Sequence, residues 1–247
     1  MQVSDGERHA FQIVAREAGA DGALLPVWAS KAPNPAGLAA VPPGPVAVRE
    51  VAAVPGVRQL LGVLAPSECR RLVALTEALG YAPDAAVSLP RSVRHNDNLV
   101  WLADDATLEI LWHRLARPLA AAVAGIAPPP LALNGRLRFY RYRRGDYFAF
   151  HRDGAWTGSR LRDGRPVADA FGGRTSRMTV LFYLNDDFAG GATRFLVDGG
   201  AVDVRTPAGG VLLFPHGDHP LHRLHASLPV ERGVKYILRT DLLCADT

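Results

Sequence analysis

The stretch Leu137-Arg-Phe-Tyr-Arg-Tyr142-Arg-Arg-Gly145-Asp-Tyr-Phe-Ala-Phe-His151-Arg-Asp153 decides how the rest of this 247-residue chain is read. Leu137 to Tyr142 alternates as a strand does, Gly145 offers a turn, and Tyr147 to His151 returns as a second strand. Side chains two apart on a strand share a face, so His151 and Asp153 point together while Arg152 turns away. One imidazole and one carboxylate on one face, completed by a distant second imidazole, is how a protein holds non-haem Fe(II). A single His-x-Asp also arises by chance, as a surface histidine beside a loop aspartate. The remaining sequence has to supply the third ligand.

Four histidines compete for that place: His216, His219, His222 and His225. They do not share one strand parity, so at most two can reach a metal on a common face. Composition leaves the choice open.

Outward from the opening stretch the chain is β-rich. Met178 to Leu184 is a strong β run, and Gly190-Gly191 separates it from Ala192 to Val197. Val202 to Arg205, Val211 to Phe214, Leu221 to His225 and Val234 to Leu243 bring the total to about eight short strands with turn signals between them. Two amphipathic helices precede them. One spans Glu68 to Leu79, with Ser67 as its N-cap and Gly80 as its stop; the other starts at Asp104 or Asp105 and carries Leu108, Leu111, Leu115 and Leu119. A strand at Leu99-Val-Trp101 lies between the helices. Helices first and many strands after predict a mostly β fold: a double-stranded β-helix, or jelly roll, with N-terminal helices packed on one sheet. Residues 1–57 read as an N-terminal extension. Asp5 to Ala18 is expected to be a short helix, and Leu25 to Pro55, rich in Pro and Ala, a meandering surface segment.

Composition narrows the function classes. A net charge of +4, almost all of its cations Arg, comes without any basic run or basic-aromatic stripe, so no nucleic-acid partner is expected. Only 2 cysteines, Cys69 and Cys244, are present, too few for a disulfide framework or a Cys-based zinc site. No stretch is long and apolar enough for a membrane span, and the N-terminus lacks the core of a signal peptide. No membrane partner and a cytoplasmic location are the expectations.

Lys31 and Lys235 are the only lysines. Lys235 sits between Val234 and Tyr236 in an apolar strand. It is either an edge-strand lysine snorkelling to water, or a point charge at the bottom of a pocket, placed for the far carboxylate of a dicarboxylate.

The segment Phe139 to Asp153 resembles the iron-binding stretch of the prolyl 4-hydroxylase-like 2-oxoglutarate/Fe(II) dioxygenases. So does Ser176-Arg-Met-Thr-Val-Leu-Phe-Tyr183-Leu-Asn185-Asp-Asp-Phe-Ala-Gly190-Gly191-Ala-Thr193-Arg-Phe195. Pro207 to Phe214, the His225-to-Lys235 spacing, and Leu64-Ala-Pro-Ser-Glu-Cys69 with its helix complete the family's order. The likeness covers roughly residues 58 to 244, and 58–247 is taken as the catalytic domain.

Carried over residue by residue, the resemblance makes His151, Asp153 and His225 the metal ligands and catalytic triad. It assigns Lys235 to the 5-carboxylate of 2-oxoglutarate, with Tyr183 or Thr179 as a hydrogen-bonding helper and Tyr142 lining the same pocket. For Tyr142 and Tyr183 an ordinary buried tyrosine is an equal reading. Arg239 shares the face of Lys235 and is expected to serve as a structural ion-pair partner rather than a second pocket cation. The chain departs from the family pattern at Ala226-Ser227, often Glu-Gly; at Phe148, commonly Tyr; and at Cys244, often Tyr, where packing is the expected role.

The resemblance implies Fe(II), 2-oxoglutarate and O2, with ascorbate as a candidate reductant. The implied reaction is decarboxylation of 2-oxoglutarate to succinate and CO2 with hydroxylation of an unactivated C–H. A prolyl or other residue of a peptide or protein is the expected substrate; a free amino acid or small natural-product intermediate is the alternative. A non-catalytic jelly-roll binding module or sensor is the reading from another class. Gly154 to Arg174 is expected to form a lid, whose Arg160, Arg162, Arg165 and Arg174 either meet an acidic substrate or are simply solvated. Arg94 to Asn98 is a candidate border of the cleft.

Overall fold

In the computed structural model, which describes residues 8–245, the strand Arg136–Tyr142 sorts its side chains to two faces. Leu137 and Phe139 join the main apolar core, and Tyr142 joins a second one. The partner strands keep that division, because residues directly opposite in an antiparallel pair share a face. Lys235–Cys244 pairs Leu238 with Phe139 on one side, and Lys235 with Tyr142 and Arg239 with Arg138 on the other. Ser176–Tyr183 pairs Phe182 with Leu238 on the first side, and Thr179 with Asp241 and Leu181 with Arg239 on the second.

These strands are the centre of a 10-stranded sheet. Its order is Phe11–Ala18, Leu24–Ser30, Asp97–Leu102, Arg136–Tyr142, Lys235–Cys244, Ser176–Tyr183, Val211–Pro215, Arg58–Leu61 and Ala47–Glu50, with Pro130–Leu133 added beside Lys235–Cys244. Every named pairing is antiparallel except that of Leu24–Ser30 with Asp97–Leu102. A 4-stranded sheet runs Gly200–Val204, Thr193–Val197, His225–Ser227, Phe148–His151. Phe195, Phe214, Tyr183 and Ile237 form part of an apolar cluster shared by the two sheets. This is the jelly roll anticipated from the strand pattern, and both helices pack on the outer face of the large sheet.

The helix Pro66–Leu79 buries Cys69, Leu72, Leu75 and Leu79, while Asp105–Val123 buries Leu108, Leu111, Leu115 and Leu119 against the same core. Asp104 caps the second helix by accepting the Thr107 N–H at 2.9 Å. The first helix does not use Ser67 as its cap. Pro66 opens it, and Glu68 reaches back to accept the Ala65 N–H at 2.8 Å. The other Glu68 oxygen accepts from Ala39 N at 2.8 Å, and both receive the Arg114 guanidinium. That buried pair ties the two helices to the preceding chain.

The expectations for the N-terminal stretch need correcting. Residues 5–7 lie outside the described residues, but Phe11–Ala18 is a strand, not a helix. Its backbone partners come from a hairpin with Leu24–Ser30, and Phe11 packs edge-on against Trp101 at 5.3 Å. Pairing with a remote sheet edge outweighs a weak local helical preference. Nor is Leu25 to Pro55 a surface meander throughout, since Val27, Trp28, Ala29 and Ser30 are buried within the sheet. Leu221 to His225 is likewise not a strand; pairing begins only at His225–Ser227.

Gly154 to Arg174 carries structure of its own. Arg160–Arg162 and Arg165–Val167 form a hairpin, turned by Asp163 and Gly164 at positive φ. Arg160 donates to Leu133 O at 2.7 Å and lies 4.8 Å from the Phe171 ring, so it faces the body of the protein.

Candidate metal centre

His151 and His225 are directly paired across two strands of the smaller sheet, with ring centroids 4.3 Å apart. Asp153 follows the end of the first strand. One ligand atom from each of His151, Asp153 and His225 lies within 4.8 Å of the others. His151 Nε2 is 3.6 Å from Asp153 Oδ1, and His225 Nε2 is 3.7 Å from Oδ2. His151 Nδ1 lies 2.8 Å from Ala149 O and His225 Nδ1 3.4 Å from Arg223 O. Carbonyls only accept, so both imidazoles keep the proton on Nδ1 and turn a free Nε2 lone pair toward the carboxylate. Burial pushes His225 down to about 3, which leaves it the neutral ring that a metal requires. Two imidazole nitrogens and one carboxylate oxygen, clustered, with Asp153 and His225 buried and His151 half-buried, fit an Fe(II) ion with open positions.

Asp153 is held from behind. Arg239 Nη1 donates to Oδ1 at 2.5 Å, and Thr179 Oγ1 donates to Oδ2 at 2.7 Å. Burial works against the charged carboxylate, yet the Arg239 guanidinium outweighs it and keeps Asp153 well below the usual carboxylate range. Because Thr179 spends its only proton on Asp153, it must accept from His216 Nδ1, 2.8 Å away. His216 Nε2 then accepts from Ser176 Oγ at 2.8 Å, and Ser176 accepts from the Trp156 N–H at 3.0 Å. The chain of donors has one consistent direction, ending on the carboxylate.

The four candidate histidines therefore separate. His225 joins the donor set, and His216 supports Thr179. His222 Nε2 accepts the Asp153 backbone N–H at 3.2 Å. His219 takes no part, since its Nε2 lies 2.8 Å from Ile126 O.

A cavity runs from this cluster between the sheets, and Tyr142, Tyr183, Thr193, Ser227 and Lys235 are among its lining residues. Lys235 is fully buried, so the snorkelling alternative fails. Its Nζ donates to Gly191 O at 2.7 Å and Ser227 Oγ at 2.9 Å, and it lies 5.0 Å from the Tyr142 ring. No carboxylate pairs with it among the described residues. Burial, with Arg205 adding to it, lowers the ammonium to about 7. Gly191 can present its carbonyl because it adopts φ 62°, which an L side chain rarely does. Tyr183 donates to or accepts from Thr193 Oγ1 at 2.6 Å, and burial pushes its hydroxyl up to about 12.

Most of the anticipated residues thus meet: His151, Asp153 and His225 at one end of the cavity, Lys235, Tyr142 and Tyr183 toward the other. Thr179 does not join Lys235; it sits behind Asp153. Arg239 is the expected ion-pair partner, and its partner is Asp153 itself. Ser227 and Thr193 escaped the sequence reading, although Ser227 lies two residues beyond His225 on one strand and could have been found by parity. Phe148, the departure from tyrosine, stacks on the His151 ring at 3.6 Å.

Residues 137–240 match the family described as the 2OG-Fe(II) oxygenase superfamily. No curated protein matches the sequence. Among solved structures, the viral collagen prolyl hydroxylase of Paramecium Bursaria Chlorella virus-1 has TM-score 0.55 at 18% identity, covering 79% of this chain and 100% of that one. A Pseudomonas putida prolyl-4-hydroxylase has TM-score 0.53 at 22% identity over 77% of this chain and 94% of its own. The carbocyclase SnoK from nogalamycin biosynthesis has TM-score 0.52 at 13% identity over 77% of this chain and 80% of its own. The matched family uses Fe(II), 2-oxoglutarate and O2, for which the donor set here is suited; residues 137–240 are thus similar to the 2OG-Fe(II) oxygenases, on a fold like that of the prolyl hydroxylases.

Proposed function

We propose that this protein hydroxylates an unactivated C–H, on a prolyl or other residue of a peptide or protein, while 2-oxoglutarate is converted to succinate and CO2. His151, Asp153 and His225 hold Fe(II), and Lys235 pairs with the far carboxylate of 2-oxoglutarate. The observation that carries this reading is the buried Lys235 ammonium with no carboxylate partner among the described residues, in the same cavity as the clustered donors. A buried ammonium facing only a carbonyl and a hydroxyl calls for an anion. Bound Fe(II), with O2 and 2-oxoglutarate, supplies the oxidant. The protein's own part is positional. Arg239 and Thr179 fix the Asp153 oxygens, the strand carbonyls fix the imidazole tautomers, and Tyr142, Tyr183 and Phe148 wall the cavity from water. The peptide preference draws on the prolyl hydroxylase neighbours, one of which, from Trichoplax adhaerens, is described in complex with a hypoxia inducible factor peptide fragment. The second reading, a small-molecule substrate, draws on SnoK, whose fold match is of similar quality.

Anaerobic addition of 2-oxoglutarate to the Fe(II)-loaded protein should give the visible band of a chelated keto acid, and its absence would refute the proposal. His151→Ala and Asp153→Ala should abolish succinate formation. Mass spectrometry for a product heavier by one oxygen, across peptide and amino-acid panels, separates the two substrate readings.

A further inference from the structure

A second cleft, with about 1010 Å³ of open space, adjoins the metal centre and shares His151, Asp153 and Arg239 with it. Its walls differ in character. Ala85, Ala86, Val87, Leu89 and Val93 make one side apolar. Arg94, Arg136, Arg138, Arg152 and Arg239 also line it.

Five guanidiniums meet four carboxylates. Arg136 pairs with Glu17 at 2.5 Å, and Arg94 lies 3.7 Å from Asp84. Arg138 and Arg239 share Asp241, and Arg239 also takes Asp153. Arg152 pairs with no carboxylate among the described residues; it donates only to His222 O, at 2.6 Å. One positive charge is left over, at the cleft's edge. Deeper in, Arg138 is 9% exposed, and its Nη2 is buried without any hydrogen-bond partner. One face of that guanidinium is covered by the Trp156 ring at 4.5 Å, and Nη1 is committed to Asp241 at 2.9 Å. A buried N–H left unmade costs free energy that a suitable acceptor recovers.

We propose that this cleft selects a substrate bearing a carboxylate on an apolar body, with Arg138 Nη2 and Arg152 receiving the carboxylate and the Ala85–Val93 wall receiving the body. This deepens the hydroxylase reading, on which it rests, by naming the substrate class. The carboxylate belongs either to a free organic acid or to an acidic residue of a peptide, and the guanidiniums recognise both alike.

The test uses the full chain loaded with Mn(II) and 2-oxoglutarate, and reads Trp156 fluorescence, with Trp156→Phe as the control for the other tryptophans. The probes are 4-phenylbutyrate against 4-phenylbutanamide, and a blocked Ala-Pro-Glu-Ala peptide against its Gln counterpart. In at least one pair the acid should bind about tenfold or more tightly than the amide. Arg152→Gln, at an exposed position, should cut that preference while leaving amide binding unchanged. The favoured pair tells the source of the carboxylate. Equal binding of acid and amide in both pairs, or a preference untouched in both Arg152→Gln and Arg138→Gln, overturns the inference. The hydroxylase reading fails separately: 2-oxoglutarate binding that survives Lys235→Ala would count against it and leave the acid-to-amide ratio standing.

Discussion

Arg239 of the large sheet reaches across to Asp153 beside the small one, Nη1 to Oδ1 at 2.5 Å, so a candidate iron ligand is clamped by a cation from the opposite layer. The same guanidinium bonds Asp241 through Nε and Nη2 at 3.3 and 3.2 Å, which fixes its plane. Arg239→Met should weaken Co(II) binding roughly 10- to 100-fold, the usual cost of losing a partner that orients a ligand, and Arg239→Lys should restore part of it. Titration followed by the visible d–d bands checks this. Unchanged affinity in Arg239→Met would show that Asp153 needs no clamp.

Thr179 separates two accounts of itself. If it supports Asp153, Thr179→Val strands the His216 Nδ1–H and one Asp153 oxygen, costing about 1–3 kcal/mol of stability. The 2-oxoglutarate KM should stay the same, because Thr179 does not line the Lys235 cavity. Urea unfolding and steady-state kinetics together decide. A raised KM with unchanged stability would return Thr179 to the co-substrate.

Lys235 predicts a pH dependence with a definite sign. In the free protein burial lowers its ammonium from 10.5 to about 7. A bound carboxylate favours the charged form and raises that value, so binding takes up a proton once the pH exceeds about 7. Affinity for 2-oxoglutarate should be level below about pH 7 and fall by up to roughly tenfold per pH unit above it. Calorimetry in buffers of different ionisation enthalpy measures both the affinity and the proton uptake. A flat profile up to about pH 9 would mean that Lys235 stays charged throughout.

The buried Glu68–Arg114 pair, at 2.7 Å, makes a prediction about folding alone. Glu68→Ala leaves the Arg114 guanidinium buried without a counter-charge and frees the Ala39 and Ala65 N–H groups. The expected loss is about 3–5 kcal/mol. Chemical denaturation of the metal-free protein reads it directly; a loss below about 1 kcal/mol would mean that water or a neighbouring acceptor takes the place of Glu68.

Strand parity carried most of the site in the sequence. It put His151 beside Asp153, and Arg239 on the face of Lys235, and both pairings hold. Parity names a face but not a position along it, and the resemblance placed Thr179 beside Lys235, whereas its hydroxyl bonds Asp153. Thr179 and Tyr183 share a face yet stand about 13 Å apart along the strand, at about 3.3 Å per residue. One therefore reaches Asp153 while the other lines the Lys235 cavity. The choice of His225 over its neighbours came only from resemblance, since the hydrogen bonds that occupy His216, His219 and His222 have partners 37 to 93 residues away or in an irregular turn. The N-terminal hairpin was illegible for the same reason: its place depends on Val27 meeting Val100 and Trp28 meeting Trp101.

That hairpin also reaches the cleft. Glu17, on its outer strand, holds the Arg136 guanidinium through both oxygens, and Arg136 lines the cleft beside the metal centre. Removing residues 8–57 would uncover the edge of Asp97–Leu102 and release a cation into the cleft. A segment with no ligand of its own thus sets the charge that an incoming molecule meets. Its loss would change which molecules the cleft attracts, with His151, Asp153 and His225 left in place.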